Sequence, residues 1–82
     1  MNIEQIIWVA GLLEGEGSFS YRKSNSVRVS CGMTDKDVLE RIQEYVGGSI
    51  TAQSYKQKEH HKDVWLWYVD GEKAVDLIKK LY

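Results

Sequence analysis

Val9-Ala10-Gly11-Leu12-Leu13-Glu14-Gly15-Glu16-Gly17 is the stretch on which the fold turns. Residues 3–14 read as a helix, because Ile3, Ile6, Ile7, Ala10 and Leu13 recur at the 3.6-residue period. A second apolar set, Trp8 and Leu12 with the small Gly11 and Gly15, lies on another side. A helix that is apolar nearly all round has to be buried on both sides. The Gly11-x-x-x-Gly15 spacing leaves a groove in which a second helix backbone can come close, although that device is best documented in membranes. Glycines that tighten packing within one core would look the same. Glu14 and Glu16 follow where the close contact opens to solvent. Acids at a helix C-terminus oppose the dipole, which favours a functional reason for them over simple solvation.

The next residues alternate. Phe19 and Tyr21 point one way and Ser20 and Arg22 the other, over a strand expected at 18–23. After a Ser24-Asn25-Ser26 turn, Val27, Val29, Cys31 and Met33 share an apolar face, with Arg28, Ser30 and Gly32 opposite. Thr34-Asp35-Lys36-Asp37 opens a second helix with Thr34 as N-cap, and Val38, Leu39, Ile42 and Val46 form its buried stripe. Gly47-Gly48 is expected to end it in the left-handed conformation. A second hairpin follows over 50–55 and 64–69, with a charged tip between. Ile50, Ala52, Trp65, Trp67 and Val69 are assigned inward, and Thr51, Gln53 and Tyr55 outward. Residues 72–82 read as a third helix built on Ala74, Val75, Ile78 and Leu81.

The layout is αββ–αββ–α, one unit used twice and closed by a helix. Four antiparallel strands with helices on one face make a two-layer α+β sandwich, a single domain over 1–82. The chain is short, so its own core is marginal and burial through self-association is a reasonable expectation. The single Cys31 excludes an internal disulfide and fits a reducing, intracellular setting. No run approaches the roughly 18 apolar residues of a membrane span. The N-terminus lacks a basic leader, so it does not read as a signal peptide. The expectation is a cytoplasmic protein with no membrane partner.

A net charge of −1 argues by itself against nucleic acid, but the charges are unevenly spread. Residues 18–34 hold Arg22, Lys23 and Arg28 and no acid. Residues 49–63 hold Lys56, Lys58 and Lys62, and ten of the twelve carboxylates lie elsewhere. A cationic sheet face beneath acidic helices is one reading of this. Such a face can lie in a DNA major groove, its hydroxyls and amides toward base edges and its cations toward phosphates. An ordinary solvated sheet face accounts for the same pattern.

Glu14 and Glu16 are hard oxygen ligands suited to Mg2+, which takes only one or two carboxylates from protein and the rest from water and phosphate. One copy per chain is a thin site. Two copies brought together through Gly11 and Gly15 would make a paired one. His60 and His61 diverge as neighbours at a loop tip and are read as a solvated or phosphate-contacting pair rather than a metal site. Cys31 is read as core, and Trp8, Trp65 and Trp67 as core or interface anchors.

These residues together carry a resemblance. Val9 to Gly17 resembles the signature of the LAGLIDADG homing endonucleases: Ala10, Gly11, Leu12 and Gly17 match outright, and Val9, Leu13, Glu14, Gly15 and Glu16 are conservative replacements. The αββαββα order, the helix start at Thr34 and the Trp65-x-Trp67 strand fit as well, so the resemblance covers the whole chain.

The resemblance implies a saddle-shaped antiparallel sheet in the major groove of double-stranded DNA, with two signature helices side by side at the centre of a homodimer. It makes Glu16 the catalytic acid and a ligand of Mg2+ or another divalent metal, with the Gly15 backbone carbonyl beside that metal. Glu14 would shape the motif's end. Trp8, Gly11, Leu12 and Gly15 would line the dimer interface. Ser20, Arg22, Ser24, Arg28, Ser30, Thr51 and Gln53 fall at positions resembling DNA-contacting ones, with Lys56 and Lys58 adding charge at the hairpin tip. Asp35 falls near a polar position that is often Gln in relatives. Relatives also carry a catalytic-site lysine just after the third helix, past Tyr82, whereas Lys79 and Lys80 fall inside the helix. The expected function is metal-dependent, site-specific cleavage of DNA phosphodiester bonds, as encoded by a mobile element or phage. The alternative is a non-catalytic module of the same fold that regulates DNA or binds another partner.

Overall fold

A computed structural model describes residues 1–21, 26–53 and 64–82. The elements are α1 (Ile3–Glu16), β1 (Gly17–Tyr21), β2 (Val27–Met33), α2 (Lys36–Val46), β3 (Ser49–Gln53), β4 (Val64–Asp70) and α3 (Glu72–Leu81). This is the repeated αββ unit with its closing helix, and the α+β class expected from the sequence. The strands make one sheet in the order β1-β2-β4-β3, every neighbour antiparallel. Each hairpin therefore gives one strand to the centre and one to an edge.

One cluster holds the core: Val9 and Leu13 of α1, Val29 and Cys31 of β2, Leu39 and Ile42 of α2, Trp67 and Val69 of β4, and Ala74 and Leu77 of α3. Because the buried strand residues Val29, Cys31, Trp67 and Val69 all lie on one side of the β2–β4 pair, the helices cover one face of the sheet and leave the other open. The apolar β4 resolves as expected, with Val29 opposite Val69, Cys31 opposite Trp67 and Met33 opposite Trp65. Trp67 is fully buried, and its indole Nε1–H donates to the Gly47 carbonyl at 2.8 Å, so the ring's one polar group is satisfied. Phe19 lies on the helix side yet is half exposed, since β1 is an edge strand; its ring meets Tyr82 edge-on at 6.3 Å.

Two local expectations are corrected. The second helix is capped by Asp35 rather than Thr34, the Asp35 carboxylate accepting from the Asp37 N–H at 3.1 Å. Aspartate ranks above threonine at this position, and the helix starts one residue later as a result. Gly47 and Gly48 do have positive φ, 89° and 100°, but Gly47 has ψ −158° and so is not left-handed helical. The cause is the neighbouring strand. A Cβ on Gly48 would lie 2.7 Å from the Tyr68 carbonyl oxygen and 2.8 Å from Trp67 Nε1, so the link lies flat against β4. None of the described helices is long and apolar enough to cross a membrane.

Candidate functional site

α1 positions the acids. It starts in a capping box, with the Asn2 side chain accepting from the Gln5 N–H at 2.9 Å and the Gln5 side chain accepting from the Asn2 N–H at 3.0 Å. It runs to Glu16, two residues past the expected end, because Gly15 is tolerated in the last turn and Gly17 is the true stop. Gly17 is already extended, at φ −86° and ψ 166°, and its N–H donates to the Leu13 carbonyl, so helix passes into strand with no loop. The joint is tight: a Cβ on Gly17 would lie 2.5 Å from the Leu13 carbonyl oxygen and 2.8 Å from its Cα.

Glu14 and Glu16 therefore both belong to the helix, and at two residues apart they are turned about 200° from each other. They do not form one chelating pair. Glu14 joins Ile3, Ile7 and Gly11 on the exposed stripe of α1, with Gly15 beside them. Glu16 lies at the junction with the sheet, exposed, and its charge reaches Cys31, the residue opposite Gly17. Burial pushes the Cys31 thiol up to about 11, and the Glu16 carboxylate adds to this, so Cys31 is a neutral core thiol. Among the described residues no group of three or more His, Cys, Asp or Glu side chains could hold a metal.

The exposed stripe is unusual for a core helix. Ile3 is 72% and Ile7 65% exposed, and a Cβ added at Gly11 or Gly15 would meet nothing within 4 Å. The glycines are thus not packing devices inside this chain. Trp8 and Leu12 sit elsewhere, half buried toward α2. Trp8 meets Tyr45 edge-on at 5.5 Å with the Arg41 guanidinium 5.2 Å from its ring. The two line a groove with Asp37, Val38, Glu40, Arg41 and Glu44.

The open sheet face is laid out by the strand register. Ser20, Arg28 and Asp70 form one row; Ser18, Ser30, Tyr68 and Ser49 the next; and Gly32, Leu66 and Thr51 a third. Ser20 and Thr51 are exposed, Arg28 and Ser30 partly so. Arg28 does not stand free: its Nε donates to Asp70 Oδ1 at 2.6 Å, its Nη2 to Oδ2 at 3.0 Å, and its Cζ lies 4.3 Å from the Tyr68 ring centroid. The hydrogen bonds to Asp70 raise its pKa further, so Arg28 is a permanent cation paired with a carboxylate. Of Gln53 only the strand position, opposite Val64, is described. Arg22, Ser24, Lys56 and Lys58, like His60 and His61, lie outside the described residues.

Sequence reasoning did not find Asp70 as the partner of Arg28, since they are 42 residues apart and only the β2–β4 register unites them. Tyr68 and Leu66 lie on the open face, as the inward assignment of Trp65, Trp67 and Val69 implies, but the sequence alone gives them no role there.

Two αββ units share one antiparallel sheet with one open face, and a glycine-bearing first helix hands an acid to the sheet junction. Residues 4–82 match the family described as LAGLIDADG-like domain, and the chain belongs to that family. Among solved structures it resembles an archaeal intron-encoded homing endonuclease, I-Vdi141I, complexed with DNA, at a TM-score of 0.69 and 23% identity, covering 95% of this chain and 54% of that one. It also resembles a lysine-to-alanine mutant of I-SmaMI, at a TM-score of 0.65 and 21% identity, covering 99% of this chain and 29% of that one. The chain thus spans about half of the first and under a third of the second. Curated proteins offer no match.

Proposed function

We propose that this chain is one half of a two-fold symmetric DNA endonuclease. Two copies pack through the exposed stripe of α1, their open sheet faces form one long groove for double-stranded DNA, and each copy supplies Glu16 at the centre. The observation that carries the reading is the stripe itself. Ile3, Ile7 and Gly11 leave a smooth apolar ridge uncovered in one chain, and it leads to the helix end that bears Glu14 and Glu16. An interface of this kind is isologous, so it presents each acid twice.

The donor set fits a divalent cation. Glu16 offers a carboxylate, and Gly15 lies in the last helical turn, where backbone carbonyls lack intrahelical donors and carry the negative end of the dipole. A hard cation that needs only one or two protein carboxylates, such as Mg2+, suits such oxygens. When bound, such a metal supplies an activated water and stabilisation of the leaving oxygen in phosphodiester hydrolysis. The chain's own part is to hold Glu16 at a fixed height above the sheet through the tight Leu13–Gly17 joint, and to align the duplex with Ser18, Ser20, Ser30 and Thr51. The same acids on two copies would serve the two strands of one site.

Cleavage of a candidate-site library in Mg2+ by the wild-type chain and by Glu16→Gln tests this. Loss of cleavage with DNA binding retained is expected; equal cleavage by both would remove Glu16 from the site. One observation favours a second reading, DNA binding without cleavage: Arg28, the one cation on the open face among the described residues, is already paired with Asp70. On that reading neither chain cuts, and both shift DNA with a steep salt dependence.

A further inference from the structure

We propose that Asp70 turns Arg28 into a base-reading fork rather than a phosphate clamp, and so sets sequence specificity on the open sheet face without itself contacting a base. The inference rests on the DNA-binding reading of that face.

A guanidinium has five N–H donors in one plane. Asp70 takes two of them, through Nε at 2.6 Å and Nη2 at 3.0 Å, and the Tyr68 ring lies 4.3 Å from Cζ. The anchor is bidentate and the platform aromatic, so the plane of the group is fixed. The remaining donors, two on Nη1 and one on Nη2, lie in that same plane and are not taken by Asp70. The pair is reachable, with Arg28 25% and Asp70 39% exposed at the side chain. Both residues are directly opposite across the central β2–β4 ladder, so the fork is held by the sheet rather than by a loop.

Planar, pre-set donors suit the paired O6 and N7 acceptors of a guanine in the major groove. A phosphate asks for net charge instead, and here the charge is cancelled by its partner. The neighbouring rows are uncharged: Ser18, Ser30, Tyr68 and Ser49, then Gly32, Leu66 and Thr51. They offer hydroxyls for base edges and, at Leu66 beside the bare Gly32, an apolar surface of the kind that meets a thymine methyl. This part of the face is built to discriminate among bases, and bulk electrostatic attraction must come from elsewhere.

The test takes wild type, Asp70→Asn and Arg28→Lys through selection from one duplex pool with a randomised core, and measures binding to the unselected pool against salt. Wild type should enrich a motif containing a guanine that Arg28→Lys loses. Asp70→Asn should enrich that motif about tenfold less. It should also bind the unselected pool more tightly, with a salt slope steeper by about one ion, as expected of a released cation that finds a phosphate. Should Asp70→Asn fail to fold, Arg28→Lys carries the test, since it keeps the charge and loses the fork: motif lost, affinity for the unselected pool kept. An unchanged motif and slope in Asp70→Asn, beside a wild type that enriches, overturns the assignment alone. A wild type that neither enriches a motif nor binds the pool at low salt overturns the DNA-binding reading and this inference with it.

Discussion

Replacing Gly11 and Gly15 by alanine should strengthen the folded chain and weaken its self-association, two effects of opposite sign from one pair of methyl groups. Both glycines lie inside α1, and a Cβ at either would meet nothing within 4 Å. The intrachain consequence is therefore helix propensity alone, a gain of about 0.8–1 kcal/mol each and about 1.5–2 kcal/mol for the double variant. With a urea slope of about 1 kcal/mol/M for a domain of this size, the midpoint should rise by about 1–2 M when unfolding is followed at dilutions where the chain is monomeric. Association runs the other way. If two copies meet along Ile3, Ile7 and Gly11, each added methyl appears twice in the interface, and filling a close helix contact costs about 1–3 kcal/mol. Sedimentation should then show a dissociation constant about 5- to 150-fold weaker than wild type. Because dimerisation feeds back on apparent stability, the urea curves should cross as concentration rises: variant above wild type when dilute, the reverse when concentrated. A double variant that is more stable at dilution and dimerises like wild type would refute the reasoning, placing the interface on another face. No gain at dilution would mean that α1 is covered within the chain itself.

Gly17→Ala should behave differently from the other two glycines. Its Cβ would fall within 3 Å of backbone atoms of Leu13, so the joint must open at a cost of about 1–3 kcal/mol, offset by up to about 1 kcal/mol from the unfolded chain, since φ −86° is an ordinary angle. A thermal melt should show the loss, and cleavage should fall with Glu16 displaced; a melt and activity like wild type would mean that the joint is softer than its geometry. Cys31 should resist alkylation in the native chain at pH 8 and react once urea is added, because burial keeps the thiol neutral up to about 11. The sign follows: a thiol pKa raised on folding contributes its stability fully below pH 9, and loses it as pH rises from there toward 11, so urea midpoints should decline over that window and less so for Cys31→Ala.

How much of this was legible in the sequence differs from element to element. β2 was read correctly residue by residue, because its alternation of Val29 and Cys31 with Arg28 and Ser30 matches a strand with one buried face. The inward parity of Trp67 and Val69 also follows from the sequence, although nothing local distinguishes the two sides of β4. The sequence puts the end of α1 two residues short, since glycine argues against helix locally while the real stop is a backbone clash at Gly17 that only the folded joint creates. Periodicity grouped Ile3 and Ile7 with Leu13 as one apolar set. Where a helix is apolar on every side, the period cannot say which part faces its own sheet. The Arg28–Asp70 fork was out of reach for a further reason: it depends on strand register between segments from different repeats.

Exposed isoleucines alone would not single out α1, because isolated apolar side chains on a surface are common. What does is their coincidence with glycines. Each glycine inside a helix costs about 1 kcal/mol relative to alanine, and in this chain neither Gly11 nor Gly15 gains any packing in return. A small domain with a marginal core is a poor place to carry two such costs on one helix face. They make physical sense if the face they keep bare is approached by another backbone, which a methyl group would hold away. The same helix carries Glu16 at its end, turned away from Glu14 and joined rigidly to β1. A lone carboxylate there is half of a useful arrangement, and in the proposed dimer a two-fold axis along the stripe would supply the other half without any further residue from this chain. On the proposed dimer, surface, glycines and acid would all be consequences of one requirement, close approach of two copies of α1.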